Sequence, residues 1–303
     1  MGATLTVSRK PWFVAAAALM GVVLFGWTVR SVGLSELVRQ LRSLAPALSF
    51  ILVLAGLRFL LQAAGWRLAM PAEQRANWRE SFGAVVAGEA AGYFAWGPIS
   101  REPTKALLVG HRMPERTALM AAVVERFFYS LAATALIVAA VALCAVRFHF
   151  LKWFLIGLAI AVIAGLVARG YWNRLPAGPS RNPRTIAGLL SLAFAQEVSN
   201  LAEAYIVLAW LGASPTIVSV IVLEGISRLM NGAGQFVPGK LGVTEAATTA
   251  LAESLRLGGP QGLSLALARR ARSLVWGAGG IGWLTYRGAR GIVASKSLEA
   301  TVS

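Results

Sequence analysis

The sequence predicts an all-α polytopic membrane protein, built as a single integral-membrane domain over residues 1–303. Hydrophobic residues make up 57% of the chain, and several apolar runs are long enough to cross a bilayer, which takes about 20 residues in a helix. Two further stretches are apolar but carry charges and are broken by glycine and proline. We therefore expect about six full spans and two re-entrant broken-helix hairpins, arranged as an inverted repeat.

Six apolar runs are predicted to cross the membrane. They are residues 11–29, 46–70, 117–146, 150–168, 185–211 and 263–286. Their orientation follows from the loops, because segments rich in Lys and Arg stay on the cytoplasmic side. The loop 169–184 carries four arginines and no acid, whereas the turn 212–215 carries no charge. We expect a multi-pass protein of a bacterial inner (plasma) membrane with both termini in the cytoplasm.

The two interrupted stretches, 81–110 and 223–253, are predicted to form hairpins. Each consists of short arms that do not reach the length of a span. Backbone that leaves the helical hydrogen-bonding pattern at membrane depth is tolerated only where protein buries it or a watery cavity solvates it. We therefore expect the breaks to line a polar cavity. The residues that make the breaks are Gly97, Pro98, Pro238, Gly239 and Gly242.

The two hairpins resemble each other in sequence. Each has a glutamate in its first arm, then a proline, then a basic residue and a second glutamate. Three predicted spans lie between them, and an odd number inverts the second copy relative to the first. We expect repeat one at about 46–146, a linking span at 150–168 and repeat two at about 185–286, with the binding site where the repeats meet.

Charged residues of the hairpins and of the following spans are the candidate site residues. Charge inside a membrane is costly and by default indicates function. Broken helices also expose N–H groups that attract anions such as phosphate. The cations predicted to bind a lipid head group are Arg101, Lys105, Arg126, Lys240 and Arg269. The acids predicted to orient those cations or to couple to protons are Glu89, Glu125, Glu224 and Glu245.

Some of these charges have a structural alternative. Glu224 and Arg228 stand four residues apart, which favours a salt bridge within one helix. Glu197 and Glu203 stand six apart and point in different directions, so each needs its own partner. Arg269, Arg270 and Arg272 form a cluster near a predicted membrane interface, and they would either reach to the membrane surface or gate an anionic lipid. The charges beside the breaks would alternatively be ordinary loop residues.

Composition argues against other classes of function. The net charge of +16 lies mainly in loops and at helix ends, where it attracts anionic lipid, so no nucleic-acid partner is expected. All 13 acids are glutamates, which disfavours enzymes that hold Mg²⁺ with aspartates. His111 and His149 fall at opposite ends of one predicted span, and Cys144 is the single cysteine. We expect no metal site, no cofactor and no intrachain disulfide.

Three motifs resemble those of the lysylphosphatidylglycerol synthase transmembrane region, also called the flippase-like domain family. They are P-I-S-R-E-P at 98–103, the Glu125–Arg126 pair and P-G-K-L-G-V-T-E at 238–245. The resemblance covers roughly residues 47–286. The chain departs from the family pattern at Arg101, where Gly is usual, and at Tyr129, where an Asp often follows the E-R pair. The resemblance implies lipid translocation or support of a lipid-modifying pathway, and the aminoacyl-transferring domain of the full synthases is not expected here.

These features together predict a flippase-like lipid transporter that is not itself an enzyme. It would move or deliver a lipid with an anionic or zwitterionic head group between leaflets through the cavity between the hairpins. Its expected partners are that lipid and a lipid-synthesis enzyme of the same pathway. Two alternatives stay open: a non-transporting scaffold for such an enzyme, and an integral-membrane enzyme acting on a polyprenyl or phospholipid substrate.

Overall fold

The computed structural model describes residues 45–94, 98–148, 182–233 and 242–302, with single positions at 42, 159, 163, 165, 166 and 170. Within those residues the protein contains eight α-helices and no strand. The helices are α1 (Ala45–Ala69), α2 (Trp78–Phe94), α3 (Pro98–Leu108), α4 (Glu115–Phe148), α5 (Pro183–Trp210), α6 (Ile217–Ala233), α7 (Val243–Ser254) and α8 (Gly259–Val302). A 3₁₀ turn, Ala72–Gln74, joins α1 to α2. The predicted all-α fold class is confirmed.

The long helices lie close to the predicted apolar runs. The ends of α1, α4 and α5 fall within two residues of 46–70, 117–146 and 185–211. Helix α8 starts earlier than the run 263–286 and continues to Val302, because no proline follows Pro260 to end it. The predicted runs 11–29 and 150–168 lie outside the described residues, apart from single positions in the second.

Two helices are long and apolar enough to cross a membrane when the described residues are searched. They are Ala47–Ala69 in α1 and Glu115–Cys144 in α4, with mean hydropathies of 2.0 and 2.2. Both present large apolar side chains on the outer surface, such as Val53 and Leu57 on α1 and Leu131 on α4. The predicted number of six spans stays a prediction.

Each interrupted stretch folds as two short helices that pack against each other, α2 with α3 and α6 with α7. Helix α3 begins at Pro98, a first-turn position where the missing N–H has no cost. Helix α7 begins after Gly242, whose φ of +78° is strained for residues with a side chain. Gly97 and residues 234–241, with Pro238, Gly239 and Lys240, lie outside the described residues.

The two halves of the described chain pack against each other in matching pairs. Helix α1 packs on α5; α2 packs on α8, as α6 does on α4; and α3 and α7 each pack on the long helix that follows them. Exchanging α1–α4 with α5–α8 reproduces this set of contacts. The first helix of each hairpin therefore lies against the last long helix of the opposite half, which brings both hairpins to the centre of the molecule.

Two buried apolar clusters surround that centre. One is formed mainly by α1–α4 and includes Trp66 and Phe128. The other includes Leu208, Leu223 and Leu265 and is formed by α5–α8 with the beginning of α1. Each half thus has its own apolar core, and α1 contributes to both.

Glycines allow the hairpins to approach the long helices closely. A Cβ atom added at Gly225 in α6 would lie 2.3 Å from Ala140 Cβ and 3.0 Å from Leu136 O in α4. In α2, a Cβ at Gly88 would lie 2.7 Å from Lys105 Cγ and 2.9 Å from Arg101 O. Small residues at helix interfaces let backbones approach in this way in membranes. Both glycines adjoin a charged residue, Glu224 or Glu89, and so hold that charge close to the neighbouring helix.

Replacing Gly225 with alanine should therefore force α6 away from α4. We expect Gly225→Ala to destabilise the protein by about 1–3 kcal/mol, the usual cost of overpacking. Gly279→Ala is the matched control, because nothing lies within 4 Å of the added Cβ in α8, and it should be neutral or stabilising by up to about 1 kcal/mol. Thermal unfolding in detergent micelles measures both changes, and equal melting temperatures for the two variants would contradict the close approach.

Candidate functional site

A buried group of charged and polar side chains lies where the helices of both halves meet, and we refer to it as the central cluster. All the described helices except α7 contribute to it. Its members are Arg58, Glu89, Arg101, Arg126, Tyr129, Glu197, Asn200, Glu203, Glu224, Arg228, Arg269 and Arg272.

Glu203 forms the most enclosed part of the central cluster. Its side chain is 2% exposed, and Arg269 Nε donates to Oε1 over 2.9 Å. Arg272 donates to the other carboxylate oxygen. Arg269 also reaches across to Glu224 Oε1 at 2.8 Å. A carboxylate in an apolar interior is tolerated only when it is paired and hydrogen-bonded, and these contacts tie α5, α6 and α8 together.

Arg269 reaches inward to two acids, which disfavours the alternative that it extends to the membrane surface. Its side chain is only 22% exposed and lies between two acids, Glu203 and Glu224. The reason is energetic, since each of those glutamates would otherwise be a buried charge without a counterion.

Glu197 and Arg228 form a second pair in the central cluster. Arg228 Nη2 lies 2.6 Å from Glu197 Oε2, and Arg228 Nη1 also donates to the Tyr129 hydroxyl over 3.4 Å. The predicted salt bridge between Glu224 and Arg228 within one helix is therefore wrong. Both side chains instead reach other helices, where Glu197 and Arg269 need counterions. Glu197 and Glu203 have different partners, as their spacing predicted.

Glu89 and Arg101 form the more open part of the central cluster. Arg101 Nη2 lies 2.8 Å from Glu89 Oε2, and the two side chains are 20% and 29% exposed, respectively. The positive charges of Arg58, Arg126 and Arg272 also act on Glu89. Glu89 is the most exposed acid of the central cluster, since the side chains of Glu197, Glu203 and Glu224 are at most 5% exposed.

Arg58 and Arg126 differ from the other arginines of the central cluster because neutral groups hold them. Arg58 Nη1 donates to Asn200 Oδ1 over 2.7 Å. The Arg126 guanidinium lies over the Tyr129 ring, 4.8 Å from its centroid, in a cation–π contact. Within the described part of the chain, neither guanidinium forms an ion pair.

A second group, next to the central cluster, surrounds Lys105. This side chain is fully buried and pairs with Glu102 in its own helix and with Glu125 Oε2 in α4, at 3.5 Å. Its ammonium lies 5.6 Å from the Trp66 ring centroid. Trp66 Nε1 in turn donates to Ala118 O over 3.2 Å. Two acids thus share one cation in an apolar setting.

A third group joins the second hairpin to α8. Glu245 is 1% exposed, and its Oε1 lies 2.6 Å from Arg270 Nη2. Its Oε2 accepts the Gly242 N–H over 2.8 Å, which satisfies a free donor at the start of α7. The glutamate of the third sequence motif therefore caps the broken helix and anchors it to the next long helix.

The structure thus distributes the predicted site residues over three neighbouring groups. The central cluster contains Arg101, Arg126, Arg269, Glu89 and Glu224; the second group contains Lys105 and Glu125; and the third contains Glu245. The predicted site residues did not include Arg58, Glu102 or Arg272, although Arg272 belongs to the arginine cluster that was one candidate for a lipid gate. Arg58 was visible as a charge inside a predicted span, and Glu102 adjoins Arg101. In the described ranges, no three His, Cys, Asp or Glu side chains come together as a metal site.

The comparison with protein families decides which family this is. The family described as the lysylphosphatidylglycerol synthase TM region matches residues 13–280. The chain belongs to this family. It is accordingly a membrane protein with a role in lipid metabolism or transport. The predicted resemblance is confirmed, and the match begins 34 residues before the predicted range 47–286 and ends six residues before its end. No curated protein and no solved structure matches the chain.

The paired charges of the central cluster give a prediction about stability. Replacing Glu203 with glutamine leaves Arg272 without its carboxylate and Arg269 with only Glu224. Because unpaired buried charges are costly, we expect Glu203→Gln to destabilise the protein by about 3–5 kcal/mol. The control Glu73→Gln changes an exposed acid and should shift stability by less than about 0.5 kcal/mol. Unfolding of both variants in micelles tests this, and a silent Glu203→Gln would show that these pairs do not hold the centre.

Proposed function

We propose that this member of the lysylphosphatidylglycerol synthase TM region family moves a membrane lipid between leaflets, with the lipid head group in the central cluster. The observation that carries the proposal is the pair of arginines, Arg58 and Arg126, held by neutral groups at the junction of the two halves. Both side chains are half-buried, and a cation without a counterion is unfavourable in a membrane. A bound anionic or zwitterionic head group would supply the missing negative charge.

In this proposal the head group enters beside Glu89 and Arg101, where the cluster is most open, and the tails stay in the bilayer. Arg101, Arg126 and Arg269 would neutralise it together with Lys240 of the second break. Lys105 is too enclosed to reach it directly in this conformation, so its contribution would require α3 to move. Glu89 and Glu224 would release or hold the arginines as the head group arrives and leaves.

The inverted repeat is also part of the proposal. It is supported by the matching contacts of α1–α4 and α5–α8 and by the odd number of predicted spans between the hairpins. In transporters of this plan, broken helices from the two repeats meet near the midplane and form the site between them. The two hairpins would then be open to opposite sides of the membrane, so that each could deliver the head group to its own leaflet.

Proton coupling is proposed at the Lys105 group. Glu102 and Glu125 share one ammonium, and among the described residues Glu102 Oε1 and Glu125 Oε1 have neither a hydrogen-bond donor nor an ion-pair partner. A second negative charge in such a setting is readily neutralised by a proton. Glu125 would then carry a proton when α3 and α4 shift, whereas Glu245, which caps α7, would keep the second hairpin in place.

The proposed membrane and orientation of the chain rest on the distribution of basic residues among its loops. We propose a bacterial inner membrane with both termini in the cytoplasm, and a lipid-synthesis enzyme of the same pathway as partner. The arginine-rich loop 169–184 and the chargeless turn 212–215 support this orientation.

Reconstitution into liposomes with fluorescent phospholipids tests the proposed function. We expect the wild-type protein to move lipid between leaflets, and Arg126→Ala to slow it about tenfold or more, since a charged hydrogen bond contributes about 1.5–3 kcal/mol. Arg116→Ala, at an exposed position of the same helix, is the control and should leave the rate unchanged. Both variants are first checked for wild-type melting temperature.

Three outcomes would contradict the transporter. Wild-type protein that moves no lipid but retains a lipid-synthesis enzyme would favour the scaffold. Chemical turnover of a lipid by the purified protein would favour an enzyme. A rate that is the same in Arg126→Ala and wild type would remove the central cluster from the path of the lipid.

A further inference from the structure

We infer that the transported lipid has a net negative, phosphate-bearing head group, and that Arg58 and Arg126 together bind its phosphate. This inference rests on the proposed function and specifies the class of substrate. Arg58 is a new member of the site, and the class excludes lipids whose head group is cationic.

Positive charges outnumber negative charges in the central cluster. It has six arginines against four glutamates, an excess of two positive charges. The arginines are Arg58, Arg101, Arg126, Arg228, Arg269 and Arg272, and the glutamates are Glu89, Glu197, Glu203 and Glu224. The Lys105 group has one acid in excess and the Arg270–Glu245 pair is neutral. In the described residues the three groups therefore have eight cations and seven acids, and the positive excess is confined to the central cluster.

The excess positive charge of the central cluster lies at Arg58 and Arg126. Four arginines of the cluster have a carboxylate within ion-pair distance, and these two have none in the described residues. Asn200 and the Tyr129 ring orient the two guanidinium groups without neutralising them. Side-chain contacts connect the groups that hold them: Asn200 lies three residues from Glu197 on α5, and Glu197 pairs with Arg228. Arg228 in turn donates to the Tyr129 hydroxyl, over whose ring Arg126 lies. Two oriented, uncompensated guanidinium groups suit the oxygens of a phosphate.

The sequence contains few carboxylates outside the three groups. The chain has 13 acids, all glutamates. Seven are in the three groups, and Glu73, Glu80, Glu115 and Glu253 lie in loops or at helix ends. Only Glu36 and Glu299 have side chains that are not described. The chain therefore offers few carboxylates that could neutralise both Arg58 and Arg126, and a bound anion is the simpler counterion.

Lipid head groups differ in the net charge that they would bring to the central cluster. A phosphodiester with a neutral alcohol has one negative charge and lowers the excess of the central cluster. A zwitterionic head group brings no net charge and leaves the excess in place. A lysylated head group has a net positive charge and would raise the excess, although the family takes its name from such a lipid. The expected order of affinity is anionic, then zwitterionic, then lysylated.

Competition binding to the purified full-length protein tests this order. A fluorescent phosphatidylglycerol is bound in neutral detergent micelles and displaced by phosphatidylglycerol, phosphatidylcholine, lysylphosphatidylglycerol or inorganic phosphate. We expect phosphatidylglycerol to compete at least about tenfold better than phosphatidylcholine, the equivalent of one charged hydrogen bond, and lysylphosphatidylglycerol to compete least among the lipids. Inorganic phosphate at the same concentration should compete weakly, because it lacks the tails.

Variants assign the preference to the two arginines. Arg58→Gln and Arg126→Gln should each lose most of the preference for phosphatidylglycerol over phosphatidylcholine, and Arg58→Lys should keep part of it. Arg116→Gln, which removes an exposed charge, should retain the wild-type preference. If Arg58→Gln does not fold, Arg58→Lys and Arg126→Gln still test the assignment.

The outcomes separate this inference from the proposed function. Lysylphosphatidylglycerol that competes as well as phosphatidylglycerol would overturn the inference, while lipid movement in liposomes would still support transport. Unchanged preference in both glutamine variants would overturn the assignment to Arg58 and Arg126. Equal competition by inorganic phosphate would show a site for free phosphate and overturn a lipid substrate. Absence of both lipid binding and lipid movement would overturn the proposed function itself.

Discussion

The pairing of Glu203 with Arg269 and Arg272 is the interaction on which the centre of this protein depends. A buried carboxylate in an apolar protein must have a counterion, and here the counterions come from α8 while the acid comes from α5. Arg269 continues the chain of charges to Glu224 in α6. These contacts fix α5, α6 and α8 of the second half relative to one another. The hydrogen bonds from Arg58 to Asn200 and from Arg228 to Tyr129 join that half to α1 and α4.

In each hairpin the short second helix forms an ion pair with the following long helix, and the charge that the short helix contributes has opposite sign in the two hairpins. In the first half, a cation of the short helix α3 pairs with an acid of α4, Lys105 with Glu125. In the second half, an acid of the short helix α7 pairs with a cation of α8, Glu245 with Arg270. Each short helix is thus joined to the following long helix by a buried ion pair. In the proposed transport cycle such pairs can exchange partners with a charged head group, whereas close-packed apolar side chains cannot.

The sequence was sufficient to predict α1, α4 and α5 and the glycine and proline positions next to which α3 and α7 begin. Runs of apolar residues set the ends of α1, α4 and α5 to within two residues, and the charges that mark the site were visible because they interrupt those runs. The partners of the charges were not predictable from spacing. Glu224 and Arg228 satisfy a local helical rule, yet each pairs with a residue of another helix. Such pairings depend on which helices are adjacent, and a single sequence does not contain that information directly.

The partner of Arg58 was likewise not predictable from the sequence. A lone arginine in an apolar run reads as one more intramembrane charge, and only the packing of α1 on α5 reveals that Asn200 holds it without neutralising it. The family resemblance did not indicate it either, because the motifs that carry the resemblance lie in the hairpins and in α4. The proposed substrate class therefore rests on the balance of charge across helices rather than on a motif.

Photo-crosslinking with a phosphatidylglycerol analogue that carries a reactive group on its head most directly tests whether the central cluster holds the head group. The account predicts labelling of peptides from α1, α2, α3 and α4 that contain Arg58, Glu89, Arg101 or Arg126, and loss of that labelling when unmodified phosphatidylglycerol is in excess. Labelling confined to the outer face of α5, around Phe194 and Val198, which are 50% and 62% exposed, would contradict it.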